Sequence, residues 1–503
     1  MELYIPLEVY IDSYKTKQSA LFHALRDAII SGKLQMDWRL PSSRQLAQQY
    51  RLSRGTVHTV YEMLLAQGFL YTKGGSGTFV SSLPPQAKQG MEQQQAAPLS
   101  RWGQRVHGLF GTGAKLSASR TEAKTGRSVQ QQDIIEFNIG QVELQQFPIK
   151  EWNRCLYEQA RQQYQYEMRD AYSSEGHDEL KQCIAKHVRS QRGIIADPDD
   201  IMIVNGSQQA ITLLVQLLMD EGDYAVLEDP HYVGARHAVL SAGGKVHACP
   251  VDEQGICFHP KAHNYKLMLL TPSRQFPTGV VLSMKRRIEL LQWAETSNAF
   301  IIEDDYDSEF RYVGRAIEPL KSLDTGDRVI YIGTFSRTML QDIRIGYAIL
   351  PKSLREAFRS AKRVYERHPI SIIQQRALAT FMATGQYDRH LRRLKRLYRR
   401  RAELVQQRVT ELLGQVLKLY PTQSGLHFYA EWTKDETLFE QFLQTSVQAG
   451  VKVVDGRSYQ LNVNQPAICI GFAHLSEEQI ETGIARLHEA WEHVKMNGKV
   501  KGI

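Results

Sequence analysis

The chain has 503 residues, of which 42% are hydrophobic and 23% are charged, a composition typical of soluble globular proteins. At roughly 100–200 residues per domain, this length predicts about two to four domains. No stretch of about 18 apolar residues occurs and the N-terminus carries Glu2 and Glu8, so the sequence predicts neither a transmembrane helix nor a secretory signal. Five scattered cysteines without a CxxC pair argue against a disulfide scaffold or a zinc site and favour a cytoplasmic protein.

Positive charge is concentrated in the first quarter of the chain. The net charge is +8, and residues 1–80 hold nine Lys/Arg and six Asp/Glu, whereas residues 81–132 hold seven and two. The remaining residues hold 46 of each sign. A basic N-terminal region on a neutral body favours contact with nucleic acid at one end of the molecule. A basic tail that only aids solubility is the alternative, and charge alone does not decide between them.

Residues 1–82 have the element order of a winged helix-turn-helix. Apolar residues at helical spacing predict helices over 18–31 and 54–67, and the run LPSS between them begins another short helix. The run GFLYTKGGSGTFV then predicts a strand, a glycine-rich turn and a second strand.

Several residues of this unit are placed for contact with DNA. In a helix-turn-helix the third helix enters the major groove, and an arginine there donates two hydrogen bonds to a guanine edge. Arg44, at the start of the preceding helix, is placed for the DNA backbone. The turn, the third helix and the wing give the candidates Ser53, Arg54, Gly55, Thr56, His58, Lys73 and Gly75. A winged helix used for protein contact is the alternative, but these basic residues lie where DNA would be.

A different composition follows. Residues 83–132 are rich first in Gln, Pro and Ala and then in Gly, Ser and basic residues, which predicts a flexible basic linker. Within it, the run RWGQRVHGLF is an island that forms one amphipathic turn or docks on a neighbouring surface.

Residues 133–503 predict an α/β domain with a mostly parallel central sheet, and a smaller C-terminal α/β subdomain from about residue 351. Short β-rich runs such as IMIVNG, YAVLEDP, KLMLLTP, AFIIEDDY and VIYIGTF alternate with helical stretches. Polar and aromatic residues follow the strand ends, where ligands bind in such sheets. These residues are Ser207, Gln208, Tyr232, Asp304, Tyr306, Thr334, Ser336, Arg337 and Arg344.

The order of these motifs resembles a known class of bacterial regulators. Residues 14–80 resemble the DNA-binding domain of GntR-type repressors, and residues 134–490 resemble fold-type-I aminotransferases that use pyridoxal phosphate (PLP). The second resemblance rests on FNIGQVELQQFP, TPSRQFPTGV, LEDPHYVGAR, IIEDDYDSEF and YIGTFSRTML. Together they are similar to the MocR/GabR class. The resemblance implies a head-to-tail homodimer that binds a double-stranded DNA operator and senses PLP or an amino compound that reacts with it.

The sequence departs from this class in three places. The run GTFSRT puts Arg337 at the position of the lysine that holds PLP as a Schiff base, with Gln341 at that of a proline. Arg274 stands where a histidine is common, and no arginine for a substrate carboxylate lies between Leu461 and Leu475. Guanidinium groups, with pKa values above about 12, are not amine nucleophiles. We therefore expect no catalytic residue, PLP held only non-covalently, and no metal.

Three functions remain open. We expect a transcriptional regulator whose large domain senses non-covalent PLP or another anionic or amino metabolite. An active PLP-dependent aminotransferase with a DNA-binding domain is the first alternative, and a constitutive repressor that uses the large domain only to dimerise is the second. Arg337 either pairs with a phosphate or carboxylate in a retained pocket or fills an empty pocket by bridging to Asp304. An engineered Lys-to-Arg change would leave Gln341 and Arg274 unexplained.

One further run is strongly basic. Eight Lys/Arg residues lie between Arg389 and Arg401. The apolar residues among them recur at helical spacing: Leu391, Leu394, Leu397 and Tyr398. This pattern favours a helix whose basic side is solvated and whose apolar side is buried. Contact of the basic side with DNA bent across the dimer is the alternative.

Overall fold

The computed structural model describes the chain over residues 4–82, 98–110, 134–167, 174–314, 317–420 and 423–500. The chain divides into two compact units, Met1–Pro98 and Leu99–Ile503. The sequence predictions for 83–97 and 111–132 fall outside the described residues.

The first unit has the predicted winged helix-turn-helix order, with one added helix at its start. Its elements are α1 (Leu7–Ser13), α2 (Lys17–Ile30), α3 (Ser43–Gln49), α4 (Arg54–Ala66), β1 (Leu70–Lys73) and β2 (Gly77–Val80). Local hydrogen bonds fix the helix starts, because Thr16 caps α2 and Ser42 forms a capping box with Gln45 on α3. The apolar faces of the helices pack into a core that includes Leu21, Leu46 and Val60.

The second unit contains two sheets and the helices that cover them. Its strands are β3 (Ile135–Phe137), β4 (Ile201–Val204), β5 (Tyr224–Asp229), β6 (Lys245–Asp252), β7 (Gly255–Ile256), β8 (Tyr265–Leu270), β9 (Phe300–Asp305), β10 (Val329–Thr334), β11 (Gly346–Ile349), β12 (Leu417–Leu419), β13 (His427–Trp432), β14 (Val451–Asp455) and β15 (Ala467–Gly471). Its helices are α5 (Arg101–Phe110), α6 (Ile149–Glu167), α7 (Asp178–Arg192), α8 (Ser207–Leu218), α9 (Val233–Ala242), α10 (Met284–Thr296), α11 (Leu320–Leu323), α12 (Arg355–Tyr365), α13 (Ile372–Ala383), α14 (Gln386–Leu413), α15 (Glu436–Gln448) and α16 (Glu477–Val500).

The larger sheet has eight strands in the order β4-β11-β10-β9-β8-β5-β6-β7. Strands β10, β9, β8, β5 and β6 pair in parallel, and β4 runs in the same direction because β11 is antiparallel to both β4 and β10. Every residue of β4 is buried, as expected for a strand covered on both faces. The parallel arrangement brings the carboxyl ends of these strands to one edge of the sheet.

The smaller sheet has the order β12-β13-β15-β14-β3. Strands β12 to β15 come from the C-terminal part of the chain, as the sequence predicts for a subdomain from about residue 351. The structure adds β3, which follows the linker in sequence and pairs in parallel with β14. The smaller sheet therefore joins the start of the second unit to its end.

The island RWGQRVHGLF is the helix α5, and it docks on α9. Arg105 Nε donates to the Ser241 carbonyl oxygen at 3.1 Å, and the Arg105 guanidinium lies 3.4 Å from the Glu221 carboxylate. The Phe110 ring meets the His237 ring edge-on, with 4.8 Å between centroids. Of the two possibilities for this island, the structure therefore shows the docking on a neighbouring surface.

Candidate functional site

The exposed start of α4 carries the first set of candidates for DNA contact. Arg54, Gly55 and His58 are exposed there, and Arg44 is exposed on α3. The His58 ring lies 3.3 Å from the Glu62 carboxylate, one turn further along the same helix. Arg54 is therefore the cation at the helix start that is best placed to reach a base edge.

Ser53 and Thr56 have local partners. The Ser53 hydroxyl accepts a hydrogen bond from the Thr56 backbone N–H at 3.0 Å, which makes Ser53 the N-cap of α4. The two hydroxyl oxygens lie 2.7 Å apart. Ser53 thus orients the start of the helix, in addition to any contact of its own with DNA.

The wing is the tight turn between β1 and β2, where Lys73 and Gly75 are exposed. Gly75 has a φ of 71°, a conformation that favours glycine. Arg39 lies against this turn, because a Cβ atom on Gly77 would come within 2.9 Å of Arg39 Nε. Sequence analysis missed Arg39, whose only signal is a cation just before the LPSS run.

The second site is a cavity of about 680 Å³ at the carboxyl-end edge of the larger sheet. All nine residues that the sequence singled out after strand ends line it: Ser207, Gln208, Tyr232, Asp304, Tyr306, Thr334, Ser336, Arg337 and Arg344. The topology explains the convergence, since parallel neighbouring strands deliver their following loops to the same edge.

Asp304 supplies the acidic group of the cavity. It lies in β9 opposite Ile332 of β10, and its Oδ1 atom is buried with no hydrogen-bond partner among the described residues. Burial, followed by the neighbouring Asp305, raises the pKa of Asp304 to about 7 against the opposing positive charge of Arg337. A buried carboxylate oxygen without a partner is costly, so this atom is suited to a cationic or hydrogen-donating ligand group.

Tyr306 is held by one of the departures from the family pattern. Arg274 Nη1 donates to the Tyr306 hydroxyl at 2.5 Å and lies 3.2 Å from the Asp307 carboxylate. Other nitrogens of Arg274 donate to the Ser424 and His427 carbonyl oxygens at 3.1 and 2.8 Å. Arg274 is buried and fully engaged, so its role is to position Tyr306.

Arg337 lies against the segment that follows β3. A Cβ atom on Gly140 would come within 2.7 Å of Arg337 Nη1, and Gly140 has a φ of 108°. Within the described residues, Arg337 makes no hydrogen bond or ion pair, including none with Asp304. This geometry disfavours the alternative in which Arg337 bridges to Asp304. No lysine occurs among the described residues that line the cavity.

The start of α8 and Arg344 lie together at one end of the cavity. Gly206 precedes α8 with a φ of 82°, and a Cβ atom on it would lie 3.0 Å from Arg344 Nη2. Arg344 Nη2 donates to the Asn205 carbonyl oxygen at 3.2 Å. Free N–H groups at a helix start beside a guanidinium suit a phosphate. The Ser336 hydroxyl, buried without a partner among the described residues, also faces the cavity.

Aromatic rings form one wall. The Tyr232 and Phe276 rings meet at 90° with centroids 6.2 Å apart, and Phe276 also meets the rings of Tyr306 and Tyr459 edge-on. Burial raises the pKa of Tyr232, and Asp304 adds to the shift. Phe276 locks the tyrosines in place, and Tyr232 remains accessible to a flat ligand.

Sequence analysis missed several lining residues. Asn138, Ile139, Gly140 and Gln141 come from the segment after β3, and Tyr459 comes from the turn after β14. Gln341 and Asp342 also line the cavity. The first group lies within the run FNIGQVELQQFP, which supported the family resemblance but received no assigned role.

Within the described ranges, no helix is long and apolar enough to span a membrane. No cluster of three or more His, Cys, Asp or Glu side chains in these ranges is arranged to hold a metal ion.

Comparisons with known proteins match both units. Residues 17–80 match the family described as bacterial regulatory proteins, gntR family, and residues 132–487 match aminotransferase class I and II. The chain is 34% identical to the probable rhizopine catabolism regulatory protein MocR of Rhizobium meliloti, over 95% of this chain and 94% of that protein. It is 33% identical to the HTH-type transcriptional regulator TauR of Rhodobacter capsulatus, over 77% and 79%.

A solved structure matches the second unit. The multiple substrate aminotransferase of Thermococcus profundus superposes with a TM-score of 0.69 at 22% identity, over 79% of this chain and 98% of that one. At this identity the likeness establishes the fold, which is that of fold-type-I aminotransferases, as the sequence predicted.

Proposed function

Since the chain belongs to the MocR-type family of DNA-binding transcriptional regulators, in which a gntR-family domain precedes an aminotransferase-like domain, we propose that its large unit senses a small anionic ligand without catalysing transamination. One observation carries the proposal. The cavity has Arg337 at the position expected for the Schiff-base lysine, and no lysine among its described lining residues.

PLP is the ligand that these residues fit best, in keeping with the cofactor of the aminotransferase fold. Asp304 Oδ1, buried without a described partner, would hold the pyridinium nitrogen. Arg344 and the start of α8 at Ser207 would hold the phosphate. Tyr232 would stack on the ring, and Tyr306 would meet a ring oxygen. Gln208, Thr334 and Ser336 supply polar contacts around them.

Arg337 changes what the cavity can do. PLP supplies an electron sink to enzymes that bind it through a lysine amine. A guanidinium keeps a positive charge in the cavity but offers no such amine. Arg337 also has no described partner of its own, so it is available to pair with a carboxylate or phosphate of a ligand.

The two alternatives are less well supported. An active aminotransferase needs an amine nucleophile, and the described cavity lining offers none. A constitutive repressor that uses this unit only to dimerise has no need for a buried carboxylate oxygen without a partner, which costs stability. The unpaired groups of the cavity therefore favour a sensor.

The winged helix would read an operator in double-stranded DNA. We propose that Arg54, Thr56 and His58 face the major groove while Ser53 and Gly55 set the helix start, that Arg44 contacts the backbone, and that Lys73 and Gly75 follow a phosphate strand. We also propose a head-to-tail homodimer, which would give the two winged helices that a symmetric operator requires.

A PLP titration of the full-length protein tests the proposed ligand. Calorimetry and visible absorbance would measure binding, and borohydride treatment followed by intact mass would detect a covalent adduct. We expect saturable binding and no mass gain. The matched variant Arg337→Lys is expected to gain the adduct. A covalent adduct on the wild type would support the alternative of an active aminotransferase. An absence of PLP binding would refute PLP as the ligand.

A further inference from the structure

The long helix α14 carries an exposed row of cations. Five arginines point away from the core and form what we call the arginine face: Arg389, Arg392, Arg396, Arg399 and Arg400. The first four are spaced by three or four residues, and Arg400 directly follows Arg399, which places all five on one side of the helix. The row spans about 16 Å at ~1.5 Å per residue.

Few carboxylates neutralise this row. No Asp or Glu occurs from residue 389 to residue 402. Arg399 pairs with Glu403 at 2.8 Å and Arg400 lies 3.7 Å from Glu477, both at the far end of the row. Arg392 and Arg396 have no hydrogen bond or ion pair within the described residues.

Arg389 contacts only backbone oxygens. Its guanidinium nitrogens lie 3.4 Å from the carbonyl oxygens of Gly385 and Thr384, at the start of the helix. The first half of the arginine face is thus a cationic surface with no compensating acid in hydrogen-bond reach among the described residues.

The fold does not depend on these side chains. Leu391, Leu394 and Tyr398 form the buried side of the helix. Arg401 of the same helix has a structural role instead, because it is buried and pairs with Glu143 at 2.6 Å. Packing and the internal ion pair therefore hold α14 in place, and the exposed arginines are left for another purpose.

We propose that the arginine face binds the phosphate backbone of the DNA that the winged helix reads. A duplex carries one charge per ~1.7 Å of its axis when both strands are counted, so a length of about 16 Å holds about ten phosphates, of which the row faces those on one side. Arginine binds phosphate through two parallel hydrogen bonds, which suits an unpaired guanidinium. The contact is independent of base sequence, so it strengthens binding without altering the operator.

Two other partners fit less well. The arginine face packed against itself across a two-fold axis would oppose like charges, which disfavours self-association through it. An anionic membrane offers similar charge, but the same chain carries a gntR-family winged helix, and the proposal rests on the DNA binding proposed for it. The domain holds equal numbers of acidic and basic residues after position 132, so the row is a local feature rather than a general excess.

The test compares two triple variants of the full-length protein that each lose three positive charges. The first is Arg389→Gln, Arg392→Gln and Arg396→Gln. The control is Lys245→Gln, Lys261→Gln and Lys285→Gln, exposed lysines that lie outside α14. Affinity for a labelled 60-base-pair duplex of random sequence is measured by anisotropy between 50 and 200 mM salt.

The salt dependence gives the expected size of the effect. Each lost phosphate contact lowers the slope of log affinity against log salt by ~0.9, so three lost contacts lower it by about 2.7. Over this fourfold range of salt, the wild type should lose about 40-fold more affinity than the first variant. The control variant should keep the wild-type slope.

Several results would overturn the proposal. Equal salt slopes for the wild type and the first variant would exclude a phosphate contact. An equal reduction of the slope in both variants would indicate only the long-range electrostatic effect of the lost positive charge. Binding to phosphatidylserine vesicles that is lost in the first variant, with an unchanged DNA slope, would assign the face to a membrane. If the triple variant misfolds, Arg392→Gln alone should lower the slope by ~0.9.

Discussion

Asp304→Asn should stabilise the protein while it weakens PLP binding, because the carboxylate lies in the cavity without a described partner. Burial raises the pKa of this group from 3.8 to about 7. The unfolded chain ionises the group at much lower pH, so folding takes up a proton between these two values. The resulting penalty is absent below about pH 4, grows between pH 4 and 7, and is complete above pH 7.

The magnitude follows from the shift. Three pKa units at ~1.36 kcal/mol each give at most about 4 kcal/mol at pH 8, and about 1.6 kcal/mol at pH 5. Asparagine has the same shape and no charge, so it removes this penalty. An unfolding entropy of ~2.1 cal/mol/K per residue implies a shift of ~1 °C per kcal/mol for about 400 residues. We therefore expect Tm to rise by up to about 5 °C at pH 8 and by less at pH 5.

The assay is thermal unfolding of the PLP-free protein at both pH values, with PLP titration of the same samples. Asp342→Asn is the control, because Asp342 is an exposed carboxylate that also lines the cavity. It should leave Tm unchanged at both pH values. PLP affinity should fall by about 10–100-fold in Asp304→Asn, the worth of one charge-assisted hydrogen bond. A lower Tm at pH 8 would refute the reasoning, since it would mean that the protein itself satisfies the carboxylate.

Two further predictions concern DNA binding and its control. Arg54→Ala with Thr56→Ala should lower affinity for DNA selected from a random library at least tenfold, without changing the oligomeric state measured by light scattering; unchanged affinity would refute the proposed groove contacts. Arg105→Ala removes the hydrogen bond from α5 to Ser241 of α9 and the ion pair with Glu221, and it leaves the Phe110–His237 ring contact. The N-cap of α9, Tyr232, lines the cavity. The substitution should speed hydrogen exchange over residues 101–110 and reduce the effect of PLP on DNA affinity, and unchanged exchange would show that Arg105 does not hold the helix.

The strand-end residues of the cavity were predictable because a parallel sheet imposes their convergence. Asp304 and Thr334 lie at the carboxyl ends of neighbouring strands that run in the same direction, so the parallel pairing of β9 and β10 brings them to one edge. The runs that contain them are short, apolar and bounded by polar residues, which marks both the strand and its end. The hydrophobic pattern and the parallel strand order were sufficient to predict these positions, without knowledge of the side-chain packing.

The remaining parts of the site depend on long-range packing. Gly140 reaches Arg337 only because β3 joins the smaller sheet beside β14, a pairing between residues more than 300 positions apart. The bond from Arg274 to Tyr306 likewise spans 32 positions. No local pattern in a single sequence signals such contacts. The capping role of Ser53 is different, because a serine directly before a helix is a local signal of an N-cap that the sequence itself carries.

The exchange of lysine for arginine that we propose at position 337 would separate two properties that a lysine combines. A lysine would supply a positive charge near Asp304 and an amine that forms a Schiff base. Arg337 keeps the charge, which lowers the pKa of Asp304 against the effect of burial, and its bulk packs on Gly140. Replacement by a small apolar residue would have lost both the charge and the packing. The arrangement is what a ligand-binding cavity needs if it is to hold an anion reversibly and release it unchanged.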